Sequence, residues 1–207
     1  AIASGQPMPR VFIIQDASPN AFATGRTPEH SYVVVTSGLL KELDKRELTG
    51  VIAHEMSHIA NYDIRVSMIV FGLVSAIGLI SDILLRTAFG AGRSDDDDSG
   101  SPYIYIVMII VAILSPIIAA MIQLAVSRQR EYLADSSAAL LTRDPEGLIM
   151  ALQKLDRSAR PLQRQNTATA HMYIVNPLKK GLLNRLFSTH PSINDRIARL
   201  KKIGGQM

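Results

Sequence analysis

Residues 51–60, Val-Ile-Ala-His-Glu-Met-Ser-His-Ile-Ala, set two histidines four positions apart in an apolar run, with a glutamate beside the first. On a helix, side chains at i and i+4 stand one above the other, so His54 and His58 can both turn a ring nitrogen to one ion. HExxH is the spacing by which a single helix holds zinc. Neutral imidazole is a good zinc ligand, and a catalytic zinc keeps one position open for water, whose pKa then falls to roughly 7. Glu55 can accept the proton of that water. The bland alternative is a surface helix with two unrelated histidines.

A stable catalytic zinc needs a third protein ligand. The chain has no cysteine, so that ligand is His, Asp or Glu, and disulfide staples are excluded. Glu131 and Asp135 lie four apart in Glu131-Tyr132-Leu133-Ala134-Asp135. If Glu131 reaches the ion, Asp135 is placed to touch a ligand imidazole, which fixes the ring's tautomer and raises its basicity. Salt bridges to Arg128 and Arg130 account equally well for the same two acids. Spacing alone leaves both readings open.

The elements that must position these residues are legible in part. Val11-Phe12-Ile13-Ile14 reads as a buried strand after an irregular entry over residues 1–10, and Tyr32 to Thr36 reads as a second strand. Residues 16–28 read as a loop interrupted by the apolar patch Ala21-Phe22-Ala23. Ser37 to Leu43 predicts a short helix. Asp44 and Glu47 form a capping box that starts the motif helix near residue 45, and no Gly or Pro stops it at Asn61, Tyr62 or Asp63. Asp144-Pro145 opens a helix to about Ser158, whereas residues 159–180 show no clear period. A last helix follows Ser192 and ends on Lys201-Lys202 before Gly204-Gly205.

Between the two acidic-and-histidine segments the composition changes. Residues 66–85 carry Asp82 as their sole charge and residues 104–126 carry none, apart from a kink expected at Pro116. Twenty residues of helix span roughly 30 Å, the thickness of a bilayer core, so the pair predicts a transmembrane hairpin. Residues 86–103, with Asp95 to Asp98, read as its solvated loop. Residues 127–141 predict an amphipathic helix that can continue the second span. The fold expected is therefore α+β: a mainly helical catalytic domain with a small sheet, built from residues 1–65 and 127–207 and interrupted by the hairpin at 66–126.

Bulk properties agree. The 207 residues are 47% hydrophobic and 19% charged, with a mean hydropathy of +0.16, which is apolar for a water-soluble enzyme of this size. A net charge of +4 is scattered, with five Phe and six Tyr, so attraction to anionic lipid explains it better than nucleic acid. Arg46, Arg65, Arg128, Arg130 and Arg143 flank the spans on the hairpin's open side, against Arg86 and Arg93 in the loop, which predicts a cytoplasmic catalytic domain. No charged-then-apolar leader is visible, and no signal peptide is expected.

Four separated segments, PNAFATG, HEMSHIANYD, SRQREYLADSSAALL and THPSINDRI, resemble the HtpX-like membrane zinc metalloproteases and occur in that family's order. The resemblance implies a zincin-like domain with one Zn2+ per chain held by His54, His58 and Glu131, with Asp135 behind Glu131. It implies that His190 stabilises the oxyanion, that Arg196 orients that region or pairs with a carboxylate, and that Asn20, Ala21, Phe22 and Ala23 face an extended substrate. It implies an inner-membrane, multi-pass enzyme that cuts misfolded or damaged membrane proteins, with hydrophobic spans ahead of the catalytic domain that this chain lacks. In the reaction expected, Glu55 takes the proton of the attacking water and delivers it to the leaving nitrogen, without a covalent intermediate. Two alternatives are a CAAX-type prenyl protease, disfavoured by the small number of spans, and a membrane-anchored assembly factor with a structural zinc, disfavoured by an intact Glu55. His30 and His171 lack partners at ligand spacing and are expected on the surface. Oligomeric state is not legible.

Overall fold

The computed structural model describes residues 1–91, 102–158 and 190–205, so the acidic run at 95–98, the stretch at 159–180 and His171 lie outside the described residues. In chain order the elements are β1 (Arg10–Ile14), β2 (Ala21–Gly25), β3 (Ser31–Thr36), α1 (Ser37–Glu42), α2 (Lys45–Ala60), α3 (Asp63–Ala91), α4 (Pro102–Thr142), α5 (Pro145–Arg157) and α6 (Ile193–Gly204). The architecture is the expected α+β one, mostly helical with one three-stranded sheet. Two compact units result: residues 1–65 with 127–207, and residues 66–126.

In the first unit the strand order is β1-β3-β2, with β1 parallel and β2 antiparallel to β3. Alternation along β3 and β2 sends Val33, Val35, Ala21 and Ala23 into the core, where they join Val51, Met56 and Ile59 of α2. Leu148, Ile149, Leu152 and Leu155 of α5 and Leu200 of α6 complete that core. Burying side chains of this size stabilises by about 1.5–3 kcal/mol each. The motif helix is thus fixed from two sides, by the sheet and by α5.

Its start is fixed as well. Asp44 accepts from the Glu47 N–H and Glu47 accepts from the Asp44 N–H, each at 2.9 Å, and Lys154 of α5 adds a 2.7 Å contact to Glu47. Gly50 explains the closeness of α5: a Cβ there would stand 2.7 Å from the Leu148 nitrogen, nearer than any side chain tolerates. On the next helix, Asp144 caps α5 by accepting from the Gly147 N–H at 3.3 Å and pairs with Arg46 of α2 at 2.6 Å.

Three expectations need correction. The β1 strand is exposed along its whole length, with Val11 and Phe12 at 61% and 52%, because it lies at the sheet edge beyond the cover of the described helices. The stretch read as a loop with an apolar patch contains a full strand, β2, paired residue by residue with β3. Most consequential, the motif helix does not continue through Asp63. It stops at Ala60, Tyr62 takes a left-handed φ of 55°, and a new helix begins at Asp63.

In the second unit, α3 and α4 each carry a stretch long and apolar enough to cross a membrane, and α4 runs unbroken through Pro116. Only 6% and 11% of those apolar windows are buried. Phe71, Leu73, Ile110 and Ile117 are among the side chains left exposed, an arrangement that water penalises and hydrocarbon does not.

Candidate active site

α2 and α4 bring three donor groups of the first unit together. Nε2 of His54 and Nε2 of His58 stand 3.1 Å apart. Glu131 of α4 reaches each, Oε2 to His54 and Oε1 to His58, at 3.6 Å. Candidate ligand atoms of all three residues lie within 4.8 Å of one another, the one such group among the described residues.

Behind each imidazole sits a carboxylate. Asp135 Oδ1 is 3.0 Å from His54 Nδ1, and Asp63 Oδ2 is 2.6 Å from His58 Nδ1. A ring that donates its Nδ1 proton to a carboxylate keeps an unprotonated Nε2. Two lone pairs therefore face each other at 3.1 Å, a repulsive arrangement that a cation between them would turn into an attractive one. The residues fit a metal ion on this ground. Charge agrees in sign: beside the two imidazoles, Asp63, Glu131 and Asp135 are buried carboxyls paired with two guanidinium groups, Arg130 and Arg196, so the surroundings favour a cation.

Arg196 of α6 is 1% exposed and organises the back of the site. It donates to Asp135 through Nε at 2.8 Å and Nη2 at 2.6 Å, a bidentate pair, and its Nη1 lies 3.2 Å from Glu131 Oε2. Its Nη2 also approaches His54 Nε2 to 3.3 Å. The two acids of α4 thus pair with Arg196. Arg130 turns elsewhere, to Asp63 and to the Asn61 carbonyl.

These contacts set the electrostatics. Burial alone would raise Glu131, but His190, Arg196 and His58 outweigh it and hold the carboxyl well below the usual range. Burial is likewise overcome at Asp135, where Arg196 and His54 bring the pKa to about 2. Glu55 behaves in the opposite way. Burial raises it, and Glu131 adds to the rise, against lowering by His54, His58 and a hydrogen bond donated by the Ala23 N–H. A buried carboxylate with a raised pKa is a stronger base than one in water.

The remaining predicted residues fall as follows. His190 Nδ1 lies 3.1 Å from Glu131 Oε1, so the ring stands against the candidate third ligand. Asn20 is 2% exposed, accepts from the Ala21 N–H at 3.1 Å and donates its own N–H to Thr36 at 2.9 Å. Ala21 and Ala23 are buried and Phe22 is half-buried, all on edge strand β2, which packs on α2. Asp63 was not among the expected site residues. Its signal was a carboxylate within short reach of the second histidine, hidden by the expectation that the helix ran on. His30 is exposed and bonds Thr27.

A paired-imidazole and carboxylate cluster beside a buried glutamate, in a chain with two membrane-length helices, defines a membrane metallohydrolase. Residues 1–204 match the model of Peptidase family M48. A protease HtpX homolog of Tropheryma whipplei is 54% identical over all 207 residues, which cover 70% of that protein. One of Dictyoglomus thermophilum is 50% identical over 204 residues, covering 99% of this chain and 66% of that protein. Among solved structures, the crystal structure of S. mikatae Ste24p superposes with a TM-score of 0.62 at 22% identity, covering 97% of this chain and 48% of that one. The chain belongs to peptidase family M48, and it is a membrane metalloprotease. It spans about two thirds of the length of those homologs and about half that of the S. mikatae chain.

Proposed function

We propose that this chain is a zinc-dependent endopeptidase of the cell membrane, with its catalytic unit on the cytoplasmic side, that hydrolyses peptide bonds in misfolded or damaged membrane proteins. The observation that carries the reading is the place of Glu55: buried between the His54–His58–Glu131 cluster and the backbone of edge strand β2. One zinc per chain, held by His54, His58 and Glu131, would supply a Lewis acid and an acidified water.

The chain's own groups do the rest. An extended substrate adds to the outer edge of β2 through main-chain hydrogen bonds, so Asn20 to Ala23 contribute backbone rather than pockets, which suits varied sequences. Glu55 takes the proton of the attacking water and hands it to the leaving nitrogen. His190, beside Glu131, donates to the oxygen that becomes negative as the carbonyl is attacked, a contribution of roughly 3 kcal/mol. Arg196 and Asp135 keep Glu131 and the His54 ring in place. The five arginines on the hairpin's open side support the cytoplasmic orientation.

The test is cleavage of casein by the purified protein in detergent, with zinc content measured on the same sample. Cleavage is expected, lost on chelation and regained with zinc. Cleavage that persists after complete removal of the metal would refute the reading.

A further inference from the structure

We propose that Asp63 is a positioning residue for the metal centre: it holds the His58 ring through Nδ1, is itself locked by Arg130, and so links metal affinity to the turn at which the first membrane helix departs. This rests on the reading of His54, His58 and Glu131 as metal ligands.

The two ligand imidazoles are supported from different places. His54 leans on Asp135, which shares α4 with Glu131. His58 leans on Asp63, which lies on neither the motif helix nor the helix of the third ligand; it is the first residue of α3. The 2.6 Å contact is short, and Asp63 is 5% exposed, so the carboxylate has little access to water. Its other oxygen pairs with Arg130 Nη2. With one oxygen against the His58 Nδ1 and the other against Arg130, the Asp63 carboxylate is held from both sides, and the ring is turned so that Nε2 faces His54 and Glu131.

Asp63 is brought back to His58 by the reversal at Asn61 and Tyr62. A tyrosine at φ 55° is uncommon, so something nearby must hold it. Arg130 does so at two points, donating to the Asn61 carbonyl and pairing with Asp63. Arg130 is also the neighbour of Glu131 in sequence. One residue pair on α4 therefore supplies the third ligand and clamps the carboxylate that aims the second.

Without Asp63 the His58 ring loses the carboxylate that accepts its Nδ1–H, and the Nε2–H tautomer, which cannot bind a metal through that atom, becomes more populated. Loss of such a partner lowers metal affinity about 10- to 100-fold. The experiment is zinc competition against a chromophoric chelator, together with the visible spectrum of the cobalt-substituted protein, on the full chain in detergent. Asp63→Ala is expected to bind zinc about 10- to 100-fold more weakly than the parent and to shift the cobalt bands. Asp63→Asn, which retains an acceptor oxygen, is expected to recover most of the affinity. Arg130→Ala, which leaves Asp63 in place but unclamped, is expected to fall between the parent and Asp63→Ala. Parental affinity in Asp63→Ala, or equal weakening in Asp63→Ala and Arg130→Ala with unshifted cobalt bands, overturns the proposal by reducing Asp63 to a holder of the turn. Should Asp63→Ala fail to fold, Arg130→Ala decides: weakened binding with shifted bands supports positioning, and parental affinity or unshifted bands refute it. A parent that takes up neither metal sinks the ligand assignment itself, a separate failure.

Discussion

Glu55 and Glu131 are proposed to do different jobs beside the histidine pair, and substitutions separate them. Glu55→Gln, which keeps the side chain's size and is not among the proposed ligands, is expected to keep zinc and lose about 10²- to 10⁴-fold in kcat, read by casein cleavage and metal analysis. Glu131→Ala removes the proposed third ligand, and zinc content should fall with activity. Arg196 answers to stability instead. Its buried charge offsets Asp135 and Glu131, so Arg196→Ala leaves two uncompensated carboxylates and is expected to cost about 3–5 kcal/mol in thermal or denaturant unfolding of the metal-free protein. Arg196→Lys should recover only part, because an ammonium cannot make the bidentate contact. An Arg196→Ala protein as stable as the parent would mean that the pair contributes nothing net. At this scale the sequence is informative about the histidines and their glutamate, since i,i+4 geometry is local. It is silent on Arg196 choosing Asp135, and on Arg130 choosing Asp63, because those partners meet only through tertiary packing.

The helices show where local rules suffice and where they fail. The capping box at Asp44 and the Asp144-Pro145 start are legible because a cap involves residues three apart. The end of α2 is not legible: nothing within a turn of Asn61 forbids helix, and the break depends on Arg130 from a distant segment. Likewise β2 lacks a strong strand pattern of its own and owes its conformation to β3. Gly50→Ala should illustrate packing against propensity. Alanine favours the helix by about 1 kcal/mol, yet the added methyl meets the Leu148 backbone, so net destabilisation of about 1–3 kcal/mol is expected in an unfolding titration. The Arg46–Asp144 contact between α2 and α5 gives a pH effect. Asp144 is held below its ordinary value, chiefly by the Arg46 hydrogen bond. A carboxyl depressed in the folded state contributes stability above its unfolded pKa and loses it as pH falls through the folded value. Unfolding midpoints followed from pH 6 to below pH 4 should therefore decline less steeply in Asp144→Asn than in the parent.

On the scale of the molecule, the catalytic unit is assembled from the two ends of the chain, and the intervening residues form a separate unit of exposed apolar helix. Hydropathy makes that division visible in the sequence, whereas the closure of the catalytic unit from residues 1–65 and 127–207 requires a hairpin to be assumed. Leu73, 61% exposed near the middle of the first apolar stretch, offers a test of lipid contact. Leu73→Arg is expected to weaken insertion by about 2.5–3.5 kcal/mol, measured as an increase in the alkali-extractable fraction of membranes. An unchanged fraction would argue that this face is covered by protein. The order of the pieces along the chain carries one more consequence. While such a polypeptide is being synthesised, it holds two imidazoles and a base long before the acid at residue 131 and the guanidinium at residue 196 emerge. On the proposed ligand set, such a nascent chain cannot cut, and its cutting edge is completed only after both apolar stretches have been made.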